Sequence, residues 1–335
     1  MLMLDFGALL AALAIILVGA ELFTNALEHV GERFSFSEGM VGSVLAAVAT
    51  ALPETIVPIV AVFFGGPSAE TRQHIGIGAV LGAPLMLSSV AIALIALFAG
   101  MKRGWHTPLK PEISGLLRDL LYFLAAFLIG FLGLFIPTHP AGTRILASAL
   151  LVFLYAMYVV NTIRASALLV QRGHGTRTDA ALWLRHINIP HTLWAEITQL
   201  ALGLAFIITG AKIFVYGVEQ VARLTGFGVL ALSLLIIPVA TEMPEKLNSI
   251  LWIRRNKDTL AFGNITGALV FQGALLTAFG MQLTAWQPRA DILWAMALTF
   301  AAVLWLLLLA ARRRLTPTWL MLNGLVYLLF FVLVV

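Results

Sequence analysis

The sequence contains no cysteine and few charged residues, only 11% of its 335 positions. Without cysteine the chain has no disulfides, no thiolate metal sites and no cysteine nucleophiles. A soluble domain normally has about a quarter of its residues charged. No long polar segment separates the apolar runs, so the sequence leaves no room for a sizeable soluble domain.

Apolar residues make up 61% of the chain, in runs long enough to cross a hydrocarbon core of about 30 Å. Backbone polar groups cannot stay unpaired in lipid, so such runs must be helices. No basic segment precedes the first run and no convincing small-residue cleavage site follows it, so we interpret it as a retained span. The chain is therefore predicted to be an all-α polytopic protein of the lipid bilayer. Its ten predicted spans are residues 4–28, 39–64, 75–100, 115–136, 145–163, 194–221, 227–253, 259–283, 290–311 and 316–335.

The basic residues predict the orientation of these spans. Most of the 21 lysines and arginines fall in one alternating set of connections, whereas the other set holds only Arg72, Arg144, Arg223 and Arg289. Basic residues in short loops stay cytoplasmic. Both termini should therefore face outward from a plasma or inner membrane, with the connection between spans 5 and 6 in the cytoplasm. Because the charge is explained by topology, it predicts no nucleic-acid partner, and no protein partner is predicted either.

Two copies of a Thr-x-x-Pro-Glu motif lie inside apolar spans. They are "ATALPET" at 49–55 and "ATEMPEK" at 240–246, offset by 191 residues. After the motif the second copy is six residues shorter, and "GIGAVLGA" at 76–83 then aligns with "AFGNITGA" at 261–268. The chain therefore contains an internal repeat.

Each copy begins a block of five spans, and an odd number makes the second block enter the membrane from the opposite face. This predicts two inverted five-helix repeats, at residues 1–170 and 193–335, joined by a cytoplasmic connection at 171–192. Inverted repeats with interrupted helices that meet at the midplane are typical of secondary transporters.

Each motif gathers oxygen donors around one point. Proline cannot bond the carbonyl four residues earlier, so that carbonyl needs another partner. The threonine lies one helical turn before the glutamate, and an acid in mid-span costs at least about 3 kcal/mol, which favours a functional role. Carboxylate, hydroxyl and carbonyl oxygens suit Na⁺ or Ca²⁺. The candidate ligands are Thr50, Glu54, Thr241, Glu242 and Glu245, with the carbonyls of Ala49 and Ala240 freed by the helix-breaking Pro53 and Pro244.

The segment after each motif has Gly-x-x-x-Gly spacing, which is typical of closely packed membrane helices. These glycines would let spans 3 and 8 press against the motif helices. They are Gly78, Gly82, Gly263 and Gly267.

At these residues the chain resembles the sodium/calcium exchanger family of the calcium/cation antiporter superfamily. That family has ten helices in two inverted halves, each with a motif close to Gly-Thr-Ser-Leu-Pro-Glu and then Gly-Asn-x-x-Gly-Ser. Here "ATALPE", "ATEMPE" and "GNITGA" match most of this pattern. The resemblance implies that Glu54 and Glu245 coordinate the metal ion, with Thr50 and Thr241 beside them. It also implies antiport of Ca²⁺ against Na⁺ or H⁺ by alternating access, the cations binding transiently and no cofactor being needed.

Several residues depart from the family pattern and are expected to modify the site. The motif serine is replaced by Ala51 and by Glu242, and a family ligand position holds Gln272. Lys246 follows Glu245 directly and lies four residues after Glu242. Glu242 and Lys246 either form an ion pair on one helix face, or the Lys246 ammonium occupies the place that a bound Na⁺ takes in other members of the family. With Lys246, Gln272 and Asn264 as modifying residues, the alternative function is a transporter of this fold with altered selectivity or proton coupling.

Two other functional classes fit the sequence less well. An intramembrane enzyme would need a His-Glu-x-x-His motif or a serine–histidine arrangement, and the spans contain neither. A channel would not need two acidic helices interrupted by proline. We therefore expect a transporter rather than an enzyme.

Overall fold

The structure is a computed structural model that describes residues 2–51, 77, 80–137, 142–178, 180–225, 242–284 and 286–334. These residues form helices and contain no β-strand, apart from an isolated bridge between Ser37 and Gly175. A short 3-10 helix, Trp183–Ile187, precedes α6. The helices are α1 (Leu2–Arg33), α2 (Glu38–Ala51), α3 (Val80–Arg103), α4 (Ile113–Gly133), α5 (Gly142–His174), α6 (Leu193–Thr225), α7 (Met243–Arg254), α8 (Asp258–Leu283), α9 (Ala290–Ala311) and α10 (Pro317–Leu333).

The helices agree with the predicted apolar runs. Within the described residues, seven helical stretches are long and apolar enough to cross a membrane, and they lie in α1, α3, α4, α5, α6, α8 and α9. The largest differences are at the ends of α1 and α5, which extend to Arg33 and His174. The polar ends of these helices lie beyond the apolar run because helical hydrogen bonding can continue outside the hydrocarbon layer.

Local sequence explains where several helices begin and end. The Ser37 hydroxyl accepts the N–H of Met40 at 3.2 Å at the start of α2. The carboxylate of Glu112 accepts two N–H groups of the first turn of α4, at 2.8 and 2.6 Å. Gly104 ends α3 with a φ of 94°, a backbone conformation that glycine adopts without strain. These caps satisfy donors and acceptors that a helix leaves unpaired at its termini.

α1 and α6 pack closely in antiparallel directions. A Cβ at Gly19 would lie 2.9 Å from the carbonyl oxygen of Gly203, and one at Gly210 would lie 3.1 Å from that of Ala12. The 191-residue offset maps Gly19 onto Gly210 and Ala12 onto Gly203, so it exchanges these two contacts. Reciprocal contacts of this kind are what a two-fold axis produces. The residues of α1 meet those of α6 in the reverse order along the chain, so the two helices are antiparallel.

Four of the described helices contain π-helical turns. They are Val41–Ala46 in α2, Leu87–Ala91 in α3, Val170–His174 at the end of α5 and Gln272–Leu276 in α8. The turns in α3 and α8 are offset by 185 residues. This equals the 191-residue offset of the repeat minus the six residues that the second copy lacks after its motif. π-turns inside helices are often found at functional sites.

The connections that carry most of the basic residues lie together at one end of the bundle. Hydrogen bonds and an ion pair join one to the next, at distances of 2.7 to 3.0 Å. The joined pairs are Thr176 with Phe36, Lys257 with Arg177, Arg103 with Asp258, and Leu109 with Leu315. The charged residues that the sequence places on one side of the membrane therefore share one end of the structure.

The prediction that Arg144 lies in a connection is wrong. It occupies the first turn of α5 with 6% exposure. Its guanidinium donates to the carbonyls of Ile136 at 3.3 Å, Met281 at 3.5 Å and Trp286 at 2.9 Å. A guanidinium can satisfy several backbone acceptors near helix ends at once, so this arginine joins α5 to the end of α8 and to the segments that follow α4 and α8.

The buried ion pair of Glu28 leads to a first prediction. Glu28 is 2% exposed and accepts from Lys257 Nζ at 2.7 Å and from Trp252 Nε1 at 2.9 Å. Lys257→Met should reduce the free energy of unfolding by about 3–5 kcal/mol, because removing one partner leaves a buried charge without its nearest counter-ion. The double variant Glu28→Gln/Lys257→Met should recover most of this loss. Thermal unfolding of the purified variants measures both effects, and a double variant less stable than Lys257→Met would contradict the explanation.

Candidate ion-binding site

The second motif forms the beginning of α7. Glu242 precedes the helix, which starts at Met243 and has Pro244 in its first turn. Proline is tolerated there because a first-turn N–H has no intrahelical partner to lose. The carbonyl of Glu242 accepts the N–H of Lys246 at 3.3 Å. The motif thus combines a helix start, whose backbone dipoles point their positive end outward, with acidic side chains.

The charged residues of this motif are buried together. Glu242 and Glu245 are fully buried and Lys246 is 3% exposed. Lys246 Nζ lies 3.5 Å from Glu242 Oε2 and 3.0 Å from the sulfur of Met86 in α3. Of the two arrangements considered for Lys246, the ion pair with Glu242 is present. Because Met86 belongs to the first half of the chain, this pair also lies where the two halves meet.

Amide side chains extend the polar surface from α7 to α8. Asn264 Nδ2 donates to the carbonyl of Glu245 at 2.9 Å and to the hydroxyl of Ser249 at 3.0 Å. Within the described part of the chain, Asn264 Oδ1 and both polar atoms of Asn248 are buried without a hydrogen-bond partner. Unpaired buried oxygens are rare in proteins and often indicate a ligand or an ion. Gln272 is also fully buried, at the start of the π-turn of α8.

Asn248 was not among the residues identified from the sequence. It lies three residues after Glu245, and residues three apart share a helix face. That spacing is the signal that could have pointed to it.

Glycines hold α8 against α2, the helix of the first motif. A Cβ on Gly267 would overlap the carbonyl oxygen of Ser43 and lie 2.5 Å from its Cα. A Cβ on Gly263 would lie 3.1 Å from the nitrogen of Ser43, and one on Gly42 would lie 2.8 Å from the carbonyl oxygen of Leu260. The two backbones therefore touch, which requires glycine at these positions.

The described part of the first motif is the end of α2. Thr50 is fully buried, and its hydroxyl donates to the carbonyls of Ala46 at 2.9 Å and Ala47 at 3.4 Å. A hydroxyl that donates its hydrogen keeps lone pairs with which it can bind a cation. Ala49 is half-buried on the same helix, as is Gly82 on α3.

Several predicted residues lie outside the described part of the chain. They are Pro53, Glu54, Gly78, Ala240 and Thr241. The expected meeting of Glu54 with Glu245 therefore stays a prediction. In the described part, the predicted residues brought together are Glu242, Glu245, Lys246 and Asn264, next to Met86.

This arrangement suits a hard cation stripped of water. Carboxylate and amide oxygens are the ligands that Na⁺ and Ca²⁺ prefer. Buried negative charge in a membrane protein is costly without a compensating partner. The Lys246 ammonium lies 3.5 Å from Glu242 Oε2 and supplies one positive charge to the site.

Known proteins are similar to this chain in sequence and in fold. The chain is 24% identical to the putative antiporter CaxA of Alkalimonas amylolytica, over 91% of this chain and 90% of that protein. It is 22% identical to the sodium/calcium exchanger MaX1 of Methanosarcina acetivorans, over 80% of each protein. The structure matches that of the sodium-calcium exchanger NCX_Mj with a TM-score of 0.76, at 18% identity and over the full length of both chains.

The sequence also matches one protein family along most of its length, over residues 4–164 and 196–335. The members of this family are exchangers, which are transporters rather than enzymes, and their apolar helices span a membrane. This match agrees with the fold and with the buried acidic motif. The chain belongs to the sodium/calcium exchanger protein family.

Proposed function

We propose that this protein is a secondary active antiporter that exchanges Ca²⁺ for Na⁺ or H⁺ by alternating access. The observation that carries the proposal is the pair of fully buried acids, Glu242 and Glu245, at the start of α7. Beside them lie amide oxygens without protein partners among the described residues. Acidic residues inside a membrane mark ion pathways, and the names of the antiporter and exchanger relatives agree with this function.

We further infer that the chain forms ten spans in two inverted halves, residues 1–170 and 193–335, joined by residues 171–192. The reciprocal contacts of α1 with α6 support this, because a two-fold axis that runs across two membrane-spanning helices lies in the plane of the membrane. The π-turns at repeat-related positions of α3 and α8 are a second, independent support.

The positions of the basic residues indicate the orientation in the membrane. The connections rich in lysine and arginine share one end of the bundle, and such connections stay cytoplasmic. We therefore propose that residues 171–192 are cytoplasmic and that both termini lie outside the plasma or inner membrane. Inorganic cations and the bilayer are the partners that this arrangement needs.

In this proposal the transported cation binds at mid-membrane between the two motifs. Glu54 and Glu245 supply the metal-binding carboxylates, and Glu242, Thr50 and Thr241 supply further oxygens. The carbonyls of Ala49 and Ala240, freed by Pro53 and Pro244, complete the set. The cations are substrates that bind transiently, and no resident cofactor is needed.

A transporter of the same fold with proton coupling or altered selectivity is the second candidate. It is favoured by Lys246, whose buried ammonium lies 3.5 Å from Glu242. A positive charge that belongs to the protein reduces the number of cations the site can hold. A protein with such a site would move less charge in each cycle than one with two unpaired acids.

Flux into proteoliposomes separates Na⁺ coupling from proton coupling. Na⁺ coupling predicts Ca²⁺ uptake that requires an outward Na⁺ gradient and continues when the pH gradient is removed. Proton coupling predicts uptake that persists without Na⁺ and stops when a protonophore removes the pH gradient. Uptake that needs no counter-ion gradient at all would contradict both.

Lys246→Met tests the role of the ammonium directly. The variant keeps a similar side-chain volume and removes one positive charge, so Glu242 should attract a cation from solution instead. We expect the apparent affinity for Na⁺ to rise about tenfold or more, since one charge interaction at such a site is worth at least about 1.4 kcal/mol. Na⁺-dependent thermal stabilisation measures the change, with Glu242→Gln/Lys246→Met as the control in which the gain should disappear. An unchanged Na⁺ affinity in Lys246→Met would show that the ammonium takes no ion's place.

A further inference from the structure

A second buried carboxylate lies outside the predicted site. Asp119 is in the second turn of α4 and is 1% exposed. Asp119 lies in neither Thr-x-x-Pro-Glu motif, and α4 is not one of the two helices that carry these motifs. Its burial needs an explanation, because an acidic side chain inside a membrane protein is costly unless it has a partner.

Hydroxyl groups from three other helices surround this carboxylate. Ser43 of α2 donates to Oδ2 at 2.8 Å, Thr266 of α8 donates to the same oxygen at 2.7 Å, and Tyr158 of α5 donates to Oδ1 at 3.1 Å. The Tyr158 hydroxyl also lies 3.3 Å from the carbonyl oxygen of Ser43. Among the described residues, no lysine or arginine nitrogen lies within ion-pair distance of Asp119. These hydroxyl partners are neutral, and the positive charge that acts on Asp119 comes from the neighbouring Arg118.

A cleft connects Asp119 with one end of the bundle. It begins at Pro111 and Glu112 in the connection before α4, and it is narrow, with room for about one water molecule. Ser43 and Asp119 line its inner part, with Gly39 and Thr259 on the walls. This end carries the basic connections, so it is the end that we propose as cytoplasmic. An ion that enters the cleft can therefore approach the carboxylate.

The carboxylate also lies close to the helices of the candidate ion-binding site. Ser43 is seven residues before Thr50 on α2, a distance of about 10 Å along the helix. Thr266 is two residues after Asn264 on α8. Asp119 is thus positioned between the cleft and the predicted midplane site.

We propose that Asp119 is the centre of a second cation-binding site, which takes Na⁺ from the cleft. The ligands are the Asp119 carboxylate, the hydroxyls of Ser43, Thr266 and Tyr158, and the carbonyl oxygen of Ser43. The hydroxyls keep lone pairs for a cation while they donate to the carboxylate, and the oxygens are all hard donors. The site has a single carboxylate with the positive charge of Arg118 nearby, which favours a monovalent over a divalent ion. The role of this site as a station on the transport path rests on the proposed antiporter function, whereas the binding itself does not.

The absence of cysteine allows the site to be probed by a single thiol. A Cβ at Gly39 would meet no atom closer than 3.9 Å, so Gly39→Cys fits the wall of the cleft. The rate at which methyl methanethiosulfonate modifies this thiol is measured in purified protein, with choline replacing Na⁺ at constant ionic strength. We expect Na⁺ at ten times its half-protecting concentration to slow modification about tenfold. In Gly39→Cys/Asp119→Asn, Na⁺ should have no effect.

Two controls separate this site from the midplane site. Gly39→Cys/Asp291→Asn removes an exposed carboxylate that pairs with Arg289, and Na⁺ protection should persist. Gly39→Cys/Glu245→Gln should also keep it, even where exchange is lost. Protection that survives in the Asp119→Asn background, or that disappears only in the Glu245→Gln background, overturns the proposal. Loss of flux with protection intact would instead count against the antiporter function alone.

Further outcomes also decide the matter. If Asp119→Asn does not fold, Gly39→Cys/Thr266→Val removes a single ligand and should raise the Na⁺ concentration needed for half protection; an unchanged value overturns the proposal. Protection by Ca²⁺ at lower concentrations than Na⁺ would contradict the monovalent assignment. Protection that changes with pH but not with the Na⁺ concentration would show that the carboxylate binds a proton instead.

Discussion

Glu245→Gln is expected to abolish cation exchange and cation-dependent thermal stabilisation together. The side chain is fully buried in the first turn of α7, beside Glu242 and Asn264. Glutamine keeps the shape and hydrogen-bonding reach of the side chain but loses its charge. A unit charge about 4 Å from a bound cation is worth about 4 kcal/mol at an effective dielectric constant of 20, which is roughly a thousandfold in affinity.

The measurement compares thermal unfolding in Ca²⁺, Na⁺, K⁺ and choline with flux in proteoliposomes. Asp291→Asn is the matched control, because it also removes one carboxylate but at an exposed position paired with Arg289. Glu54→Gln should behave like Glu245→Gln if the two acids share the ion as proposed. A cation that still stabilises both glutamine variants as strongly as the wild-type protein would show that the ion binds elsewhere.

Much of the fold could be predicted from the sequence because lipid allows the chain few choices. An apolar run of sufficient length must be a helix, and the observed helices follow those runs, although α5 continues to His174, beyond its predicted end at residue 163. The internal repeat was also predictable, because matching residues at a fixed offset are visible in the sequence itself. It places the π-turns of α3 and α8 and the glycine contacts of α1 with α6 at equivalent positions.

The candidate site was predictable where a short motif carries the chemistry. Glu242, Glu245 and Lys246 stand out because charged residues are rare inside apolar runs. Asn248 lacks a charge and was missed, although it is buried one turn further along the same helix. Asn248 is buried because α7 packs against α8, and no local sequence pattern predicts this packing.

Asp119 shows a different limit of sequence reasoning. It follows Arg118 near the start of an apolar run, a position typical of a charged residue at a membrane surface. Its hydroxyl partners are 39 to 147 residues away along the chain. Only the packing of α2, α5 and α8 around α4 buries this carboxylate. A single sequence has no means to indicate which distant hydroxyls will converge on it.

The crossing of α2 with α8 gives the other large expected effect. Gly267→Ala should strongly destabilise the protein, because the new Cβ would overlap the carbonyl oxygen of Ser43 and lie 2.5 Å from its Cα. These are backbone atoms, so no side-chain rotation relieves the clash and the two helices must move apart. Overpacking of a buried contact usually costs about 1–3 kcal/mol, and a contact this short should reach or exceed the upper end.

Gly142→Ala is the matched control, since a Cβ there meets no atom within 4 Å. It should be neutral or stabilising by up to about 1 kcal/mol, because alanine favours the helix over glycine. Thermal unfolding of the two variants measures the difference. A shift of α8 away from α2 would also move Thr266 from Asp119 and Asn264 from the carbonyl of Glu245. Gly267→Ala should therefore weaken Na⁺ protection at the cleft and ion-dependent stabilisation together, even in protein that remains folded. If Gly267→Ala unfolds at the same temperature as Gly142→Ala, the backbones of α2 and α8 are not in contact in the membrane protein.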